Sequence, residues 1–254
     1  MGQQVAGTST VHAHDRLRRP HSSDGSPRSR VSLVLAWTRP QLGSGAGHDA
    51  GMRVVAGTAR GRRLATPEPR RGRRRAGRGR SSGDDAVVRP TTDRVRESTF
   101  NALHSRQAVV GSRVLDLFAG TGALGIEALS RGAECATFVD RSPDALRLVT
   151  ENLATCDLAE RAKVVRADGP DWLRSTSDVW DLVLLDPPYD FDAWDDLLAV
   201  VAAHLADPAT ALVVVESDRE VLGADGADVR WHVDSRRRAA GTVVTLLRPD
   251  SGPG

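Results

Sequence analysis

The chain has 254 residues, enough to bury one substantial core, and no apolar run approaches the ~18 residues a membrane span needs. Two cysteines, Cys135 and Cys156, exclude a disulfide framework and a four-cysteine zinc site, and both fall in predicted core elements as buried thiols. The formal charge of +2 conceals a division: residues 53–96 hold 14 arginines against four acids (Glu68, Asp84, Asp85, Asp93), which leaves an acidic body behind a basic arm. Such a division suits a polyanionic partner held beside the body. A bias of 34 arginines to one lysine, Lys163, is also what a GC-rich genome would give. Val31–Trp37 is too short for a secretory apolar core, so a cytoplasmic protein is expected.

Residues 1–51 are rich in Ser, Gly, His and Arg without apolar periodicity and are expected to be a disordered tail. The second methionine, Met52, stands where ordered-looking sequence begins, which raises the alternative of a start at Met52. Residues 52–110 read as a basic amino-terminal extension. Within it Arg53–Ala65 forms a short hairpin carrying Arg60, Arg62 and Arg63, and Pro67–Asp85 a Gly/Arg/Ser loop able to neutralise phosphate, or else a solvated linker. Arg89–Glu97 (RPTTDRVRE) opens a helix capped by Thr92 or Asp93 and running through Val95, Phe100 and Leu103. Arginines in a first helical turn gain nothing from the helix dipole, so their position hints at binding.

Residues 111–250 follow an alternating pattern. Arg113–Phe118 is a strand, and Ala119–Gly125 turns into a helix ending near Arg131. Cys135–Asp140 is the second strand, Pro143–Leu153 a helix, and Lys163–Arg166 the third strand, followed by Asp168. Trp180–Asp186 reads as a strand buried on both faces, stopped by Pro187 and Pro188. Phe191–Leu205 is an amphipathic helix and Ala211–Glu216 the fifth strand. Val229–Val233 and Thr242–Leu247 complete an antiparallel pair across a turn at Arg236–Arg238. Strands alternating with helices imply an α/β, Rossmann-like sheet whose ligands gather at the strands' carboxyl ends.

At that edge Gly120, Gly122 and Gly125 match a dinucleotide-type loop, a pattern that nicotinamide and flavin enzymes share with methyltransferases. Asp116 can accept from the amino group of a methionine-type tail, Asp140 from both hydroxyls of a ribose, and Asp168 from an adenine amino group. Each alone could be a loop-end cap. Together at the ends of strands one to three, with Phe118, Gly120 and Gly122, they describe a site for S-adenosylmethionine. Asp186-Pro187-Pro188-Tyr189 is asked for by no hydride-transfer chemistry.

The Asp-Pro-Pro-Tyr loop resembles the signature of methyltransferases acting on exocyclic amino groups. With RPTTDRVRE, Asp116–Gly125 and RVVAGTARGRRL, the stretch Met52–Arg248 resembles the bacterial 16S rRNA guanine-N2-methyltransferase family, the RsmD type. That resemblance implies a seven-stranded sheet, mostly parallel with an antiparallel last strand, and S-adenosylmethionine as cofactor. It implies Arg94 near the methionine carboxylate, with Asp186, the Pro187 carbonyl and Tyr189 as the catalytic group, and Arg60, Arg62, Arg63 and Arg89 on RNA. The implied partner is 16S rRNA or a small ribosomal subunit particle, met by a monomer with no metal and no membrane. The tail 1–51 and the Arg-rich insert at 67–87 depart from the family pattern. Alternatives are a DNA adenine-N6 or cytosine-N4 methyltransferase, for which no stretch is long enough to form a target-recognition domain, and a nucleotide-dependent oxidoreductase, which leaves Asp-Pro-Pro-Tyr unexplained. A pure RNA-binding module would leave the acids unexplained.

Overall fold

The computed structural model describes residues 51–67, 90–222, 231–239 and 241–250. The expected tail, the insert arginines from Arg70 to Arg80, and Arg89 lie outside the described residues.

Apolar runs build the centre. Strand β1 (Arg113–Leu117) pairs in parallel with β2 (Cys135–Asp140) on one side and β4 (Leu182–Leu185) on the other. Strand β3 (Ala162–Arg166) adds outside β2, and β5 (Leu212–Ser217) outside β4. Strand β7 (Thr242–Pro249) pairs antiparallel to β5, and β6 (Trp231–Ala239) antiparallel to β7, giving the order β3-β2-β1-β4-β5-β7-β6. All four residues of β4 are buried, as a strand covered on both faces requires. The chain order reverses between β1 and β4, the place where open α/β sheets bind ligands.

Alternation along each strand divides the core. Val114, Leu182, Leu184, Leu212 and Val214 face the layer of α1 (Pro90–His104), α2 (Ala123–Ser130) and α3 (Pro143–Thr155). Leu115, Leu117, Val183, Leu185 and Val213 face α4 (Gly169–Ser175) and α5 (Trp194–Ala202). Because side chains alternate with period two, Asp116 shares the face of Leu184, and so does Asp186 two residues on.

Several details differ from expectation. Arg236–Arg238 belong to β6 and not to a turn; β6 is an edge strand, where charged side chains reach water and discourage further pairing. A register shift between Val233 and Ser235 gives Asp234 to Arg106 (2.5 Å) and Arg248 (3.1 Å). Cys135 starts β2 and is exposed, whereas Cys156 is buried as expected. Helix α1 begins at Pro90, ahead of the expected cap, and α4 was not expected. Among the described residues no helix is long and apolar enough to cross a membrane.

The amino-terminal hairpin is shorter in pairing than expected, with one bridge between Arg53 and Arg63, yet it is firmly attached. Val54, Ala59 and Leu64 join the core. Buried Glu127 on α2 accepts from the Val55 and Ala56 N–H groups at 2.8 and 3.0 Å and pairs with Arg131 at 2.7 Å. Arg96 completes this network, 3.6 Å from Glu127, 2.8 Å from Asp93 and donating to the Arg53 carbonyl. Its side chain is 4% exposed, so Arg96 is a structural cation and not a surface contact for a ligand.

Candidate active site

The glycine loop joins β1 to α2 by a sequence of special backbone positions. Phe118 has φ 69°, a left-handed conformation costly for an aromatic residue, and its N–H and that of Ala119 both reach the Val139 carbonyl at 3.0 Å. Gly122 follows at φ 76° as the residue preceding α2, where no side-chain cap occupies the helix start. At Gly125 an added Cβ would stand 2.4 Å from Phe138 and 2.9 Å from the Asp116 carboxylate, so only glycine fits. The Gly125 N–H donates to Asp116 Oδ2 at 2.9 Å, fixing that carboxylate beneath the loop.

The other two acids sit at the neighbouring strand ends. Asp140 accepts from Gly120 N–H through Oδ2 (2.9 Å) and from Ser142 N–H through Oδ1 (2.8 Å), so both its oxygens are oriented by backbone. Asp168 is exposed at the start of α4, and its side chain caps nothing; only its carbonyl accepts, from Trp172. Two oriented acids, with exposed Asp168 at the next strand end, beside a cap-free, glycine-lined helix start fit a zwitterionic nucleoside such as S-adenosylmethionine.

After β4 the chain turns through Asp186, buried Pro187, Pro188 and Tyr189, closed by a bond from Phe191 N–H to the Pro188 carbonyl at 2.9 Å. Phe191 packs edge-on against Phe118 (5.6 Å) and Trp194 (5.1 Å), which joins this loop to the glycine loop. Arg219 donates to the Phe191 carbonyl at 2.8 Å. Tyr189 is 75% exposed, an aromatic ring held in solvent by a fixed loop.

Three carboxyls at this edge are held above their usual range. Burial pushes Asp116 up to about 8, with Asp186 and Asp140 adding to the shift and the Gly125 N–H opposing it. Asp186 keeps surface open to solvent, yet its dense surroundings raise its carboxyl to about 6. Burial lifts Glu216 to about 7, with the Asp186 charge adding and Arg96 opposing. Glu216 went unassigned in the sequence, although it lies at the carboxyl end of a strand's run, as Asp116, Asp140 and Asp186 do. Asn152 was also missed: fully buried on α3, it bonds Ala65 on both backbone groups (2.6 and 3.1 Å) and the Thr121 carbonyl (2.9 Å), tying hairpin to glycine loop.

The arginines separate. Arg94 lies on the outer stripe of α1, lining an open cavity of about 390 Å³ with Ser98, Asn101, Ser105, Arg106 and Arg237. None of the residues lining that cavity belongs to the glycine loop or the Asp-Pro-Pro-Tyr loop. Its spacing puts Arg94 on the opposite stripe from Arg96, the residue that does approach the strand ends. Arg62 is spent on Asp157 (3.0 Å) and the Thr155 carbonyl (2.8 Å), while Arg60 and Arg63 are exposed. Among the described residues no group of three or more His, Cys, Asp or Glu is arranged to hold a metal ion.

Comparison with known proteins places this architecture. Residues 75–248 match the family model described as conserved hypothetical protein 95. The ribosomal RNA small subunit methyltransferase D of Escherichia coli K12 is 34% identical over 198 residues, covering 77% of this chain and 88% of that protein. Its namesake from Haemophilus influenzae Rd is 32% identical over 66% of this chain and 80% of that protein. The solved structure of YhhF from Escherichia coli superposes with a TM-score of 0.63 at 31% identity, covering 79% of this chain and 98% of YhhF. The match of the family model over most of the chain, together with these relatives, makes this chain a member of the ribosomal RNA small subunit methyltransferase D family.

Proposed function

We propose that this protein methylates the exocyclic N2 of a guanine in 16S rRNA, using S-adenosylmethionine, as a cytoplasmic monomer acting on the RNA or on a small-subunit particle. The observation that carries the reading is the fixed Asp186-Pro187-Pro188-Tyr189 loop, packed through Phe191 onto Phe118 beside the glycine loop. It sets an acceptor carboxylate and an exposed ring next to a cofactor-shaped edge.

S-adenosylmethionine, when bound, supplies an electrophilic methyl that needs little further activation. Asp116, Phe118, Gly120, Gly122, Asp140 and Asp168 are the residues to hold it. The difficulty lies in the nucleophile, because the N2 lone pair of guanine is delocalised into the ring. Asp186 and the Pro187 carbonyl accept the two N2–H bonds, which draws the nitrogen toward tetrahedral geometry and frees its lone pair. Tyr189 stacks on the base once it is turned out of its helix. Orientation supplies most of the acceleration. Methyl transfer would break the sulfonium C–S bond, its electron pair staying on the departing thioether, and the methylated nitrogen would then be acidic and lose its proton to Asp186 or to water, so a strong base is not required. On the RNA side, Arg60 and Arg63 present exposed charge from the hairpin, and Arg89 and the insert arginines add to the basic sequence that follows. Such contacts add salt-dependent affinity without reading bases.

The test is nucleoside analysis of 16S rRNA from a deletion strain and from the same strain complemented with this chain. Loss and restoration of one N2-methylguanine supports the reading. An unchanged modification pattern overturns it.

A further inference from the structure

The mechanism above leaves one carboxyl at the sheet edge without work. Glu216 lies next to last in β5, and the β4–β5 register, which runs from Leu182 beside Leu212 to Leu185 beside Val215, sets Glu216 beside Asp186 at the next step. Adjacent strands lie about 4.8 Å apart and register partners point to the same face, so the two carboxyls form a pair on the face that also carries Asp116. Arg96 approaches Glu216 from α1, and Val244 of β7 flanks it on the other side. Among the described residues no donor lies within hydrogen-bonding distance of its carboxylate.

The side of the sheet matters. β1 and β2, which carry the glycine loop and Asp140, flank β4 on one side, whereas β5 flanks it on the other. Glu216 therefore lies beyond Asp186 from the cofactor edge, on the side left for the base. A guanine whose N2 is held by Asp186 presents its N1–H as the adjacent donor on the same ring edge. Adenine and cytosine present an unprotonated acceptor next to their amino groups, which a carboxylate repels.

We infer that Glu216 is a specificity-determining residue that accepts the N1–H of the target guanine beside Asp186, selecting guanine over bases whose neighbouring ring nitrogen is an acceptor. This inference rests on the proposed function. Arg96 contributes by holding a cation near Glu216, keeping the acceptor form available against the crowding of Asp186. The pair thereby divides its labour, with Asp186 on the amino group that reacts and Glu216 on the ring nitrogen that identifies the base.

The experiment compares methyl transfer to 16S rRNA fragments carrying guanine or 2-aminopurine at the mapped target position. 2-Aminopurine keeps the amino group but has a lone pair at N1. Wild type is expected to favour guanine strongly. Glu216→Gln can turn an amide N–H toward that lone pair, so the guanine to 2-aminopurine ratio should fall roughly tenfold to a hundredfold, the scale of one mispaired base edge. Affinity for S-adenosylhomocysteine, measured by calorimetry, should stay unchanged. A ratio that stays constant while both rates fall together overturns the inference and makes Glu216 structural. Should Glu216→Gln fail to fold, Glu216→Ala takes its place, a fall in the ratio supporting the inference and an unchanged ratio overturning it, and equal use of both substrates by wild type overturns it too. Wild type that transfers no methyl to either base removes the proposed function itself, a result separable from the others.

Discussion

Asp116→Asn removes an ionisable group and keeps the acceptor that holds Gly125. Asp116 is 1% exposed and its carboxyl stands at about 8 against an ordinary 3.8, with burial the main cause. A raised carboxyl pKa means the folded chain keeps a proton the unfolded chain releases, so this group lowers stability as pH rises from about 4 to 8. At about 1.4 kcal/mol for each pH unit, the gap sets a ceiling of roughly 6 kcal/mol above pH 8. The asparagine amide brings its own buried N–H groups at about 1–3 kcal/mol, which leaves a net gain of at most about 3–5 kcal/mol. Thermal unfolding of the apoprotein should therefore show the variant equal to or below wild type at pH 5 and above it by about 5–10 °C at pH 9. Calorimetry with S-adenosylhomocysteine should meanwhile show affinity lowered by about 1–3 kcal/mol if, as proposed, the Asp116 carboxylate accepts from the cofactor's cationic amino group. A melting difference that does not vary with pH would refute the assignment of a buried, penalised carboxylate to this position.

Two further variants test the frame around it. Asp140→Ala should weaken cofactor affinity by about 1–3 kcal/mol in calorimetry and leave RNA binding intact, because its two oxygens are oriented by Gly120 and Ser142 and not by the RNA face. Glu127→Ala leaves Arg96 and Arg131 without their shared partner and the Val55 and Ala56 N–H groups without acceptors, so denaturant unfolding should show a loss of about 3–5 kcal/mol. A loss below about 1 kcal/mol would mean that the hairpin is held by its apolar contacts alone.

Much of the site was legible because its residues follow the sheet's own logic. Leu182–Leu185 is a continuous apolar run closed by two prolines, which only a covered parallel strand explains. Acids at the ends of such strands, and glycines between the first strand and a helix, lie at positions the fold fixes in advance. The same logic reaches Glu216, but its strand was read for its valines and its last residue was passed over. Other features depend on contacts that spacing does not encode. Arg96 looked like a ligand contact in its first-turn setting, and only its meeting with Glu127, 31 residues on, shows it to be an internal cation. Arg236–Arg238 suggested a turn by their charge, yet an edge strand carries charge as readily. Helix α4 has seven residues, too few for an apolar period to emerge, and opens on Gly169 and Pro170, which read as a loop.

The central claim, that the Asp-Pro-Pro-Tyr loop orients a guanine amino group for methylation, is tested most directly by single-turnover methyl transfer to 16S rRNA or small-subunit particles with Asp186→Ala and Asp186→Asn. Asp186→Ala should lose most of the turnover while its affinity for S-adenosylhomocysteine barely changes, and Asp186→Asn, which keeps one acceptor oxygen, should retain more. Full turnover in Asp186→Ala would contradict the claim and move the chemistry away from this loop.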